Sequence, residues 1–145
     1  FMIKYGKNYV NGYLDYKTIL EKSDDVANME WGGEWRTPTI IEFNELTNSE
    51  YCTWVFSTVN GVMGYEVISK TNNNSIFLPL TGYMSENNIN PVYKNMGYYW
   101  CSTLNDNAST SAYCLCFSQS DILNDWRYRY HGLTIRPVVA KGSIE

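Results

Sequence analysis

From Cys52 onward the sequence is a series of short runs rich in β-branched and aromatic residues, each bounded by turn residues. Residues 52–57 and 63–68 are two such runs, and Asn60-Gly61 between them favours a tight hairpin because both residues tolerate positive φ. A third run, residues 75–80, contains Pro79, which cannot donate to a ladder and therefore belongs on an edge strand. The chain after its first third is therefore constrained to form antiparallel sheet.

The first third of the sequence has helical periodicity instead. Residues 16–29 carry scattered apolar side chains among charges, and Asp24 and Asp25 suit the first turn of a helix. This pattern predicts a helix in which Ser23-Asp24-Asp25 can start a helical turn that ends near Gly32-Gly33. Thr39 and Glu42 have the spacing of a capping box, which predicts a second helix that ends at residue 48 or 49.

Composition limits the class of protein. A chain of 145 residues with 44% apolar residues is long enough for one domain, residues 1–145, with its own core. Its net charge of −4 argues against nucleic acid as a partner, because nucleic-acid binders concentrate basic residues on one face. No apolar run approaches the roughly 20 residues of a membrane helix, so we expect no membrane insertion.

The four cysteines do not have the paired spacing of a zinc site, and the sequence has a single histidine. We therefore predict no metal and no cofactor. In a strand over residues 112–118, Leu115 and Phe117 would face the core, while Cys114, Cys116 and Ser118 would face outward. A disulfide from Cys114 or Cys116 to a neighbouring strand and free thiols both stay open.

Residues 105–131 carry mostly polar and aromatic side chains, which suit ligand contacts better than core packing. They lie between two apolar segments, residues 99–103 and 132–138. We predict a loop over residues 119–131 that presents aromatic and hydrogen-bonding side chains to a ligand. No residue is assigned a catalytic role. The candidate ligand-binding residues are Cys101, Asn105, Asp106, Asn107, Tyr113, Cys114, Cys116, Ser118, Ser120, Asp121, Asn124, Asp125, Trp126, Tyr128, Tyr130 and His131.

Some conspicuous residues are expected to be structural. Trp31, Trp35 and Trp100 are expected to pack in the core or on a sheet, as large aromatic side chains mostly do. Arg36 is expected to make a structural ion pair or hydrogen bond. His131 is expected to be a contact residue rather than a catalyst, because the sequence places no nucleophile or base beside it.

Four ordered motifs carry a family resemblance: WGGEWRTPT at residues 31–39, IFLPLTGY at 76–83, GYYWCST at 97–103 and GLTIRPV at 132–138. As a set they resemble the Fibrobacter-type major paralogous domain, which occurs in many Bacteroidetes proteins. The resemblance implies an α+β domain of C-type lectin-like fold, with two helices around a small twisted antiparallel sheet and long loops. It also implies an opening strand, which has either diverged to residues 9–14 or been left out.

Residues 99–138 resemble, more narrowly, the variable segment of proteins that diversity-generating retroelements rewrite at adenines. That resemblance implies a non-catalytic domain that binds a protein or glycan on a cell or particle surface. It also implies a location on a cell surface, in the secreted fraction or on a phage particle. Codon rewriting would account for Cys101, Cys114 and Cys116 as chance products.

Two other functions stay open. One is surface adhesion or carbohydrate binding by a member of the same family that is not diversified. The more distant one is an enzyme similar to the formylglycine-generating enzymes, whose helix start resembles residues 36–42. Only that motif carries over, and a shared fold does not transfer an activity.

Overall fold

The computed structural model describes Tyr5 and residues 15–85, 88–89 and 93–139. The opening strand expected at residues 9–14 lies outside the described residues, as do residues 86, 87 and 90–92. In chain order the helices and strands are α1 (Val26–Trp31), β1 (Trp35–Arg36), α2 (Ile40–Thr47), β2 (Cys52–Val59), β3 (Val62–Ser69), β4 (Ser75–Pro79), β5 (Met84–Ser85), β6 (Asn88–Ile89), β7 (Gly97–Leu104), β8 (Ser111–Phe117), β9 (Ile122–Tyr128) and β10 (Val138–Val139).

Helix α1 begins after its N-cap Asp25 and ends at its C-cap Gly32, as the start and end signals predicted, but residues 16–22, which shared the helical pattern, lie outside it. The residues before it pair with a strand instead: the Leu20 amide donates to the Ser102 carbonyl (3.0 Å), and the Leu104 amide donates to the Thr18 carbonyl (2.7 Å). A backbone that is hydrogen-bonded to a neighbouring strand cannot also complete helical turns. Tertiary pairing therefore overrides the local helical pattern.

Helix α2 confirms the capping box. The Thr39 side chain accepts a hydrogen bond from the Glu42 amide, and the Glu42 carboxylate accepts one from the Thr39 amide (2.8 Å). Both guanidinium nitrogens of Arg36 donate to the same carboxylate, at 2.6 and 2.7 Å. The hydrogen bond from Arg36 lowers the pKa of Glu42. The structural ion pair predicted for Arg36 is thus confirmed.

Strands β2, β3 and β4 form a three-stranded antiparallel sheet in that order. Asn60 and Gly61 join β2 to β3 with φ of 50° and 80°, as the hairpin prediction required. Pro79 lies on the edge strand β4, opposite Gly64 of β3, so this prediction is confirmed as well.

Strands β7, β8 and β9 form the second three-stranded antiparallel sheet. Strand β9 occupies most of the segment that was predicted to be a loop, residues 119–131, and it pairs with β8 from Phe117↔Ile122 to Ser111↔Tyr128. The loop prediction was wrong because the connection is only a tight turn, closed by the Ser118 amide donating to the Asp121 carbonyl (2.8 Å).

Both faces of this second sheet are covered. Tyr99, Leu115 and Phe117 pack on one face with Phe43 of α2 and Tyr65 of β3, which forms the main core. The opposite face carries a smaller cluster of buried residues with partly buried ones packed against it: Tyr83, Tyr98, Cys116, Tyr93, Met96 and Leu133.

The burial of Cys114 and Cys116 shows that their predicted solvent-facing position was wrong. Cys114 is 0% exposed and Cys116 is 2% exposed. After β9 the chain crosses this face, because Leu133 packs on the second cluster and the Thr134 amide then donates to the Tyr98 carbonyl (3.2 Å) on the edge strand β7. The sequence pattern of β8 alone carries no sign of this crossing.

The expected fold class was therefore wrong. Of the part of the chain that the structure describes, 44% is strand and 13% is helix, distributed over several small antiparallel sheets. The arrangement is β-rich, not two helices around one sheet, because the first helix has only six residues and the strands form separate sheets. Trp31 and Trp35 were expected in the core or on a sheet. Trp35 lies on β1, which pairs with β10, whereas Trp31 lies in α1; both are exposed, and their ring centroids are 5.2 Å apart.

Candidate functional site

Four rings form a continuous row along the end of β9 and the turn that follows it. The ring centroids of Trp126 and Tyr128 are 5.9 Å apart, those of Tyr128 and Tyr130 are 5.4 Å apart, and those of Tyr130 and His131 are 4.6 Å apart. Trp126 is 44% exposed, Tyr128 43% and Tyr130 64%. We call Trp126, Tyr128, Tyr130 and His131 the aromatic strip.

The strip rests on backbone that is tied down on both sides. Trp126 and Tyr128 are two residues apart on β9, so they share a face of the strand. The His131 amide donates to the Tyr128 carbonyl (3.0 Å), which closes the turn. Next to the turn, Gly132 and Met84 exchange two backbone hydrogen bonds, each 2.9 Å long. The rings are therefore held by ladder geometry rather than by a free loop.

His131 anchors the strip to the second cluster. Its ring centroid lies 5.0 Å from that of the buried Tyr83. Burial lowers the pKa of His131, and the positive charge of Arg127 lowers it further. The imidazole is therefore neutral at neutral pH, and the strip presents aromatic and hydroxyl groups without a charge of its own.

Arg127 lies on the other face of β9 and supports the strip from behind. Its guanidinium lies 5.1 Å from the Tyr98 ring centroid and donates both to the Asp125 carboxylate (2.5 Å) and to the Trp126 carbonyl (2.6 Å). Burial lowers the pKa of Arg127, but the hydrogen bonds with Asp125 and Tyr98 outweigh it and the pKa is raised. Arg127 therefore stays charged while it fixes the β9 backbone.

Sequence reasoning missed Arg127 and Tyr83 as parts of the site. Arg127 could have been found by reading residues 122–128 as a strand, since alternation then separates Asp125 and Arg127 from Trp126 and Tyr128. Tyr83 gave no comparable signal, because its contact with His131 joins residues 48 positions apart in the sequence.

The structure removes some predicted ligand-binding residues from the surface. The Cys101 thiol donates to the Tyr113 carbonyl (3.0 Å), and burial raises the pKa of this thiol to about 11. All four cysteines are free thiols, so the free-thiol alternative holds. The predicted ligand-binding residues that are buried are Cys101, Asn105, Cys114 and Cys116.

The remaining predicted residues do not form one patch. Ser118, Ser120 and Asp121 lie at one end of the β8–β9 hairpin, whereas Asp106 and Asn107 belong to the β7–β8 connection at the other end. Seven strand residues at about 3.3 Å each place these ends about 20 Å apart. Only the second end adjoins Tyr128 and Tyr130.

Two of the predicted residues contact the protein itself. Tyr113 is partly buried against the main core. The Asn124 side chain donates to the Asn44 side chain of α2 (2.6 Å). These contacts fix the position of β9 against the helix, so both side chains have a structural role.

The described residues contain no group of three or more His, Cys, Asp or Glu side chains that could hold a metal ion. The two helices, of six and eight residues, are too short to cross a membrane. Comparison of the chain with protein-family models, curated proteins and solved structures finds no match.

Proposed function

We propose that this chain is a non-catalytic recognition domain whose aromatic strip contacts a protein or glycan partner. The observation that carries the proposal is the exposed row of Trp126 and Tyr128, held by the β8–β9 ladder, and Tyr130, held in the hydrogen-bonded turn that follows. Tyrosine and tryptophan supply large contact areas with few rotatable bonds, so little conformational entropy is lost on binding. Such residues dominate the energetics of known interfaces.

The surroundings of His131 support recognition over catalysis. Its ring neighbours are Tyr83, Tyr128 and Tyr130, which pack against the imidazole from several sides. A general base needs a hydrogen-bonded nucleophile or water in a defined position. A ring that packs between aromatic side chains is better suited to a contact surface.

We further propose that residues 99–138 are diversified by a retroelement, and that the domain is displayed on a cell surface, secreted or carried by a phage particle. Substitutions at exposed positions usually change the free energy of unfolding by about 0.5 kcal/mol or less, so such positions tolerate rewriting. The exposed Trp126, Tyr128 and Tyr130 meet that condition. Residues as buried as Cys114 and Cys116 do not.

Alanine substitutions at Trp126 and Tyr128 test the contact surface. The probes are a glycan array and an array of purified bacterial surface proteins, and the strongest binder is then titrated. Each substitution should weaken its binding by about 1 kcal/mol or more, while the melting temperature stays close to that of the wild type. Tyr51→Ala is the matched control, since Tyr51 is 52% exposed and lies before β2. Equal losses for all three variants would exclude the strip as the contact surface.

Gene sequencing tests diversification separately. We expect a reverse-transcriptase gene near this one, together with a repeat that differs from codons 99–138 only at adenines of the template. The expected differences fall mainly on codons of exposed residues. A genome with neither feature would refute diversification and leave the binding surface to be judged by the titrations.

A further inference from the structure

A cavity of about 200 Å³ lies beside β7, where the backbone partner of that strand changes. The Trp100 amide donates to the Thr134 carbonyl (2.9 Å), whereas the Ser102 carbonyl accepts from the Leu20 amide (3.0 Å). Two separate segments of the chain therefore meet at this point, and their side chains do not fill the space between them. The apolar residues that line the cavity include Leu20, Val26, Trp100, Leu104, Ala112 and Ile135.

The walls of this cavity are held by the second sheet. Trp100 and Ala112 lie on the face of that sheet that carries the second cluster, because alternate residues of a strand share a face. Leu104 pairs with Ala112 across the ladder, and its amide donates to the Thr18 carbonyl (2.7 Å). The cavity is therefore formed before any ligand arrives, as small-molecule sites usually are.

The volume of the cavity limits the size of a ligand. An apolar protein cavity of about 150 Å³ can hold benzene, so this one suits a molecule of roughly ten non-hydrogen atoms. Because much of the lining is apolar, an apolar group that enters the cavity leaves water and gains free energy of binding. A polymer or a folded partner does not fit, which separates this cavity from a surface contact site.

Two side chains of opposite charge, Asp24 and Arg129, also line the cavity. Tyr5 contacts both: its hydroxyl donates to the Asp24 carboxylate (2.5 Å), and the Arg129 guanidinium lies 5.6 Å from its ring centroid. Burial lowers the pKa of Arg129, so this cation has lost part of its hydration and gains from contact with an anion. A guanidinium has several N–H donors and a carboxylate several acceptor positions, so each can bind a ligand group in addition to its protein contacts.

We propose that this cavity binds a free α-amino acid with an apolar side chain about the size of leucine. Arg129 binds the carboxylate of the ligand, Asp24 binds its ammonium group, and Trp100 packs against its side chain. A neutral apolar ligand would gain nothing from either charge, and a ligand with a single charge would also meet the like charge of the site. A zwitterion matches both.

The cavity is separate from the aromatic strip, because none of the four strip residues lines it. Binding of an amino acid therefore does not depend on the protein or glycan partner proposed for the strip. Trp126→Ala should bind the amino acid as the wild type does. A failure of amino-acid binding leaves the strip to be judged by its own titrations.

Isothermal titration calorimetry with L-leucine and two analogues tests the recognition of both charges. The analogue 4-methylpentanoate lacks the ammonium group, and 3-methylbutylamine lacks the carboxylate. Each should bind the whole chain about tenfold or more weakly than leucine does. Equal affinities for the three ligands would contradict recognition of a zwitterion. No binding of leucine up to about 10 mM would overturn the proposal altogether.

Variants test whether the ligand lies in this cavity. Arg129→Gln and Asp24→Asn should each weaken leucine binding about tenfold or more, whereas the exposed control Glu50→Gln should not. In Arg129→Gln, leucine and 3-methylbutylamine should bind with similar affinity, because the carboxylate that distinguishes them has lost its partner. A purely structural role of Arg129 would not remove that discrimination.

A variant that fills the cavity tests the site without changing its charges. Ala112→Leu places a larger side chain in the space proposed for the ligand. This variant should lose leucine binding while circular dichroism shows that it keeps the fold. Leucine binding that persists in the folded Ala112→Leu variant would place the ligand elsewhere and contradict the proposal.

Discussion

Gly97→Ala should lower the free energy of unfolding by about 3 kcal/mol, because the site has no room for a methyl group. A Cβ at Gly97 would lie 2.1 Å from Phe117 Cζ and 2.3 Å from Cε2 of the same ring. Phe117 is 0% exposed and stacks on Tyr99 with ring centroids 5.8 Å apart. Its ring also contacts Trp54 and Tyr65 edge to face. The ring therefore cannot move without disturbing the main core.

A double variant tests whether the Phe117 ring is the group that excludes a methyl at Gly97. Phe117→Leu alone should also destabilise, since it removes ring contacts from the core. In the double variant the leucine makes room for the new methyl group, so the combined loss should be smaller than the sum of the single losses. Urea denaturation followed by tryptophan fluorescence measures the free energy of unfolding of the two single variants and of the double variant. Strictly additive losses would show that the Phe117 ring is not the obstacle.

Cys101→Asp should lower the free energy of unfolding by about 3 kcal/mol or more, although position 101 lies in the segment that resembles a diversified one. Cys101 is 3% exposed and packs within the main core beside Tyr99 and Leu115. A carboxylate there loses its hydration, and the same burial already raises the pKa of the Cys101 thiol. Rewriting of this codon to a charged residue would therefore destabilise the fold as well as change the side chain.

Tyr130→Asp is the matched substitution at an exposed position of the same segment. Tyr130 is 64% exposed, so this change should alter the free energy of unfolding by about 0.5 kcal/mol or less. Thermal melting of both variants gives the comparison. If Cys101→Asp melts like the wild type and Tyr130→Asp does not, Cys101 is not a core residue and Tyr130 is not a free contact residue.

Features set by neighbouring residues could be predicted from the sequence. The capping box at Thr39 and Glu42 and the hairpin at Asn60-Gly61 both depend on backbone geometry within four residues. The apolar and aromatic run over residues 112–117 likewise forms a strand, β8, of nearly the predicted length. The exposed Trp126, Tyr128 and Tyr130 were among the candidate binding residues for the same reason, since their spacing is local.

Features set by distant contacts could not be predicted. Residues 18–20 have a helical pattern but pair with Ser102 and Leu104, which are more than 80 positions away. Cys114 and Cys116 alternate with core residues as outward side chains would, yet both are buried, and Cys116 packs in a cluster with the distant Tyr83 and Leu133. In both cases the partner is remote in sequence, and no periodicity within the segment records it.

The reciprocal hydrogen bonds between Met84 and Gly132 make the loop after β4 a support for the aromatic strip. Tyr83 contacts His131 from the same loop. A substitution at Met84 or Tyr83 would therefore tilt the rings of Tyr128 and Tyr130 without changing their identity. If the strip binds a partner as proposed, its ligand preference depends also on residues that never touch the ligand, and two domains with identical residues 99–138 need not recognise the same partner.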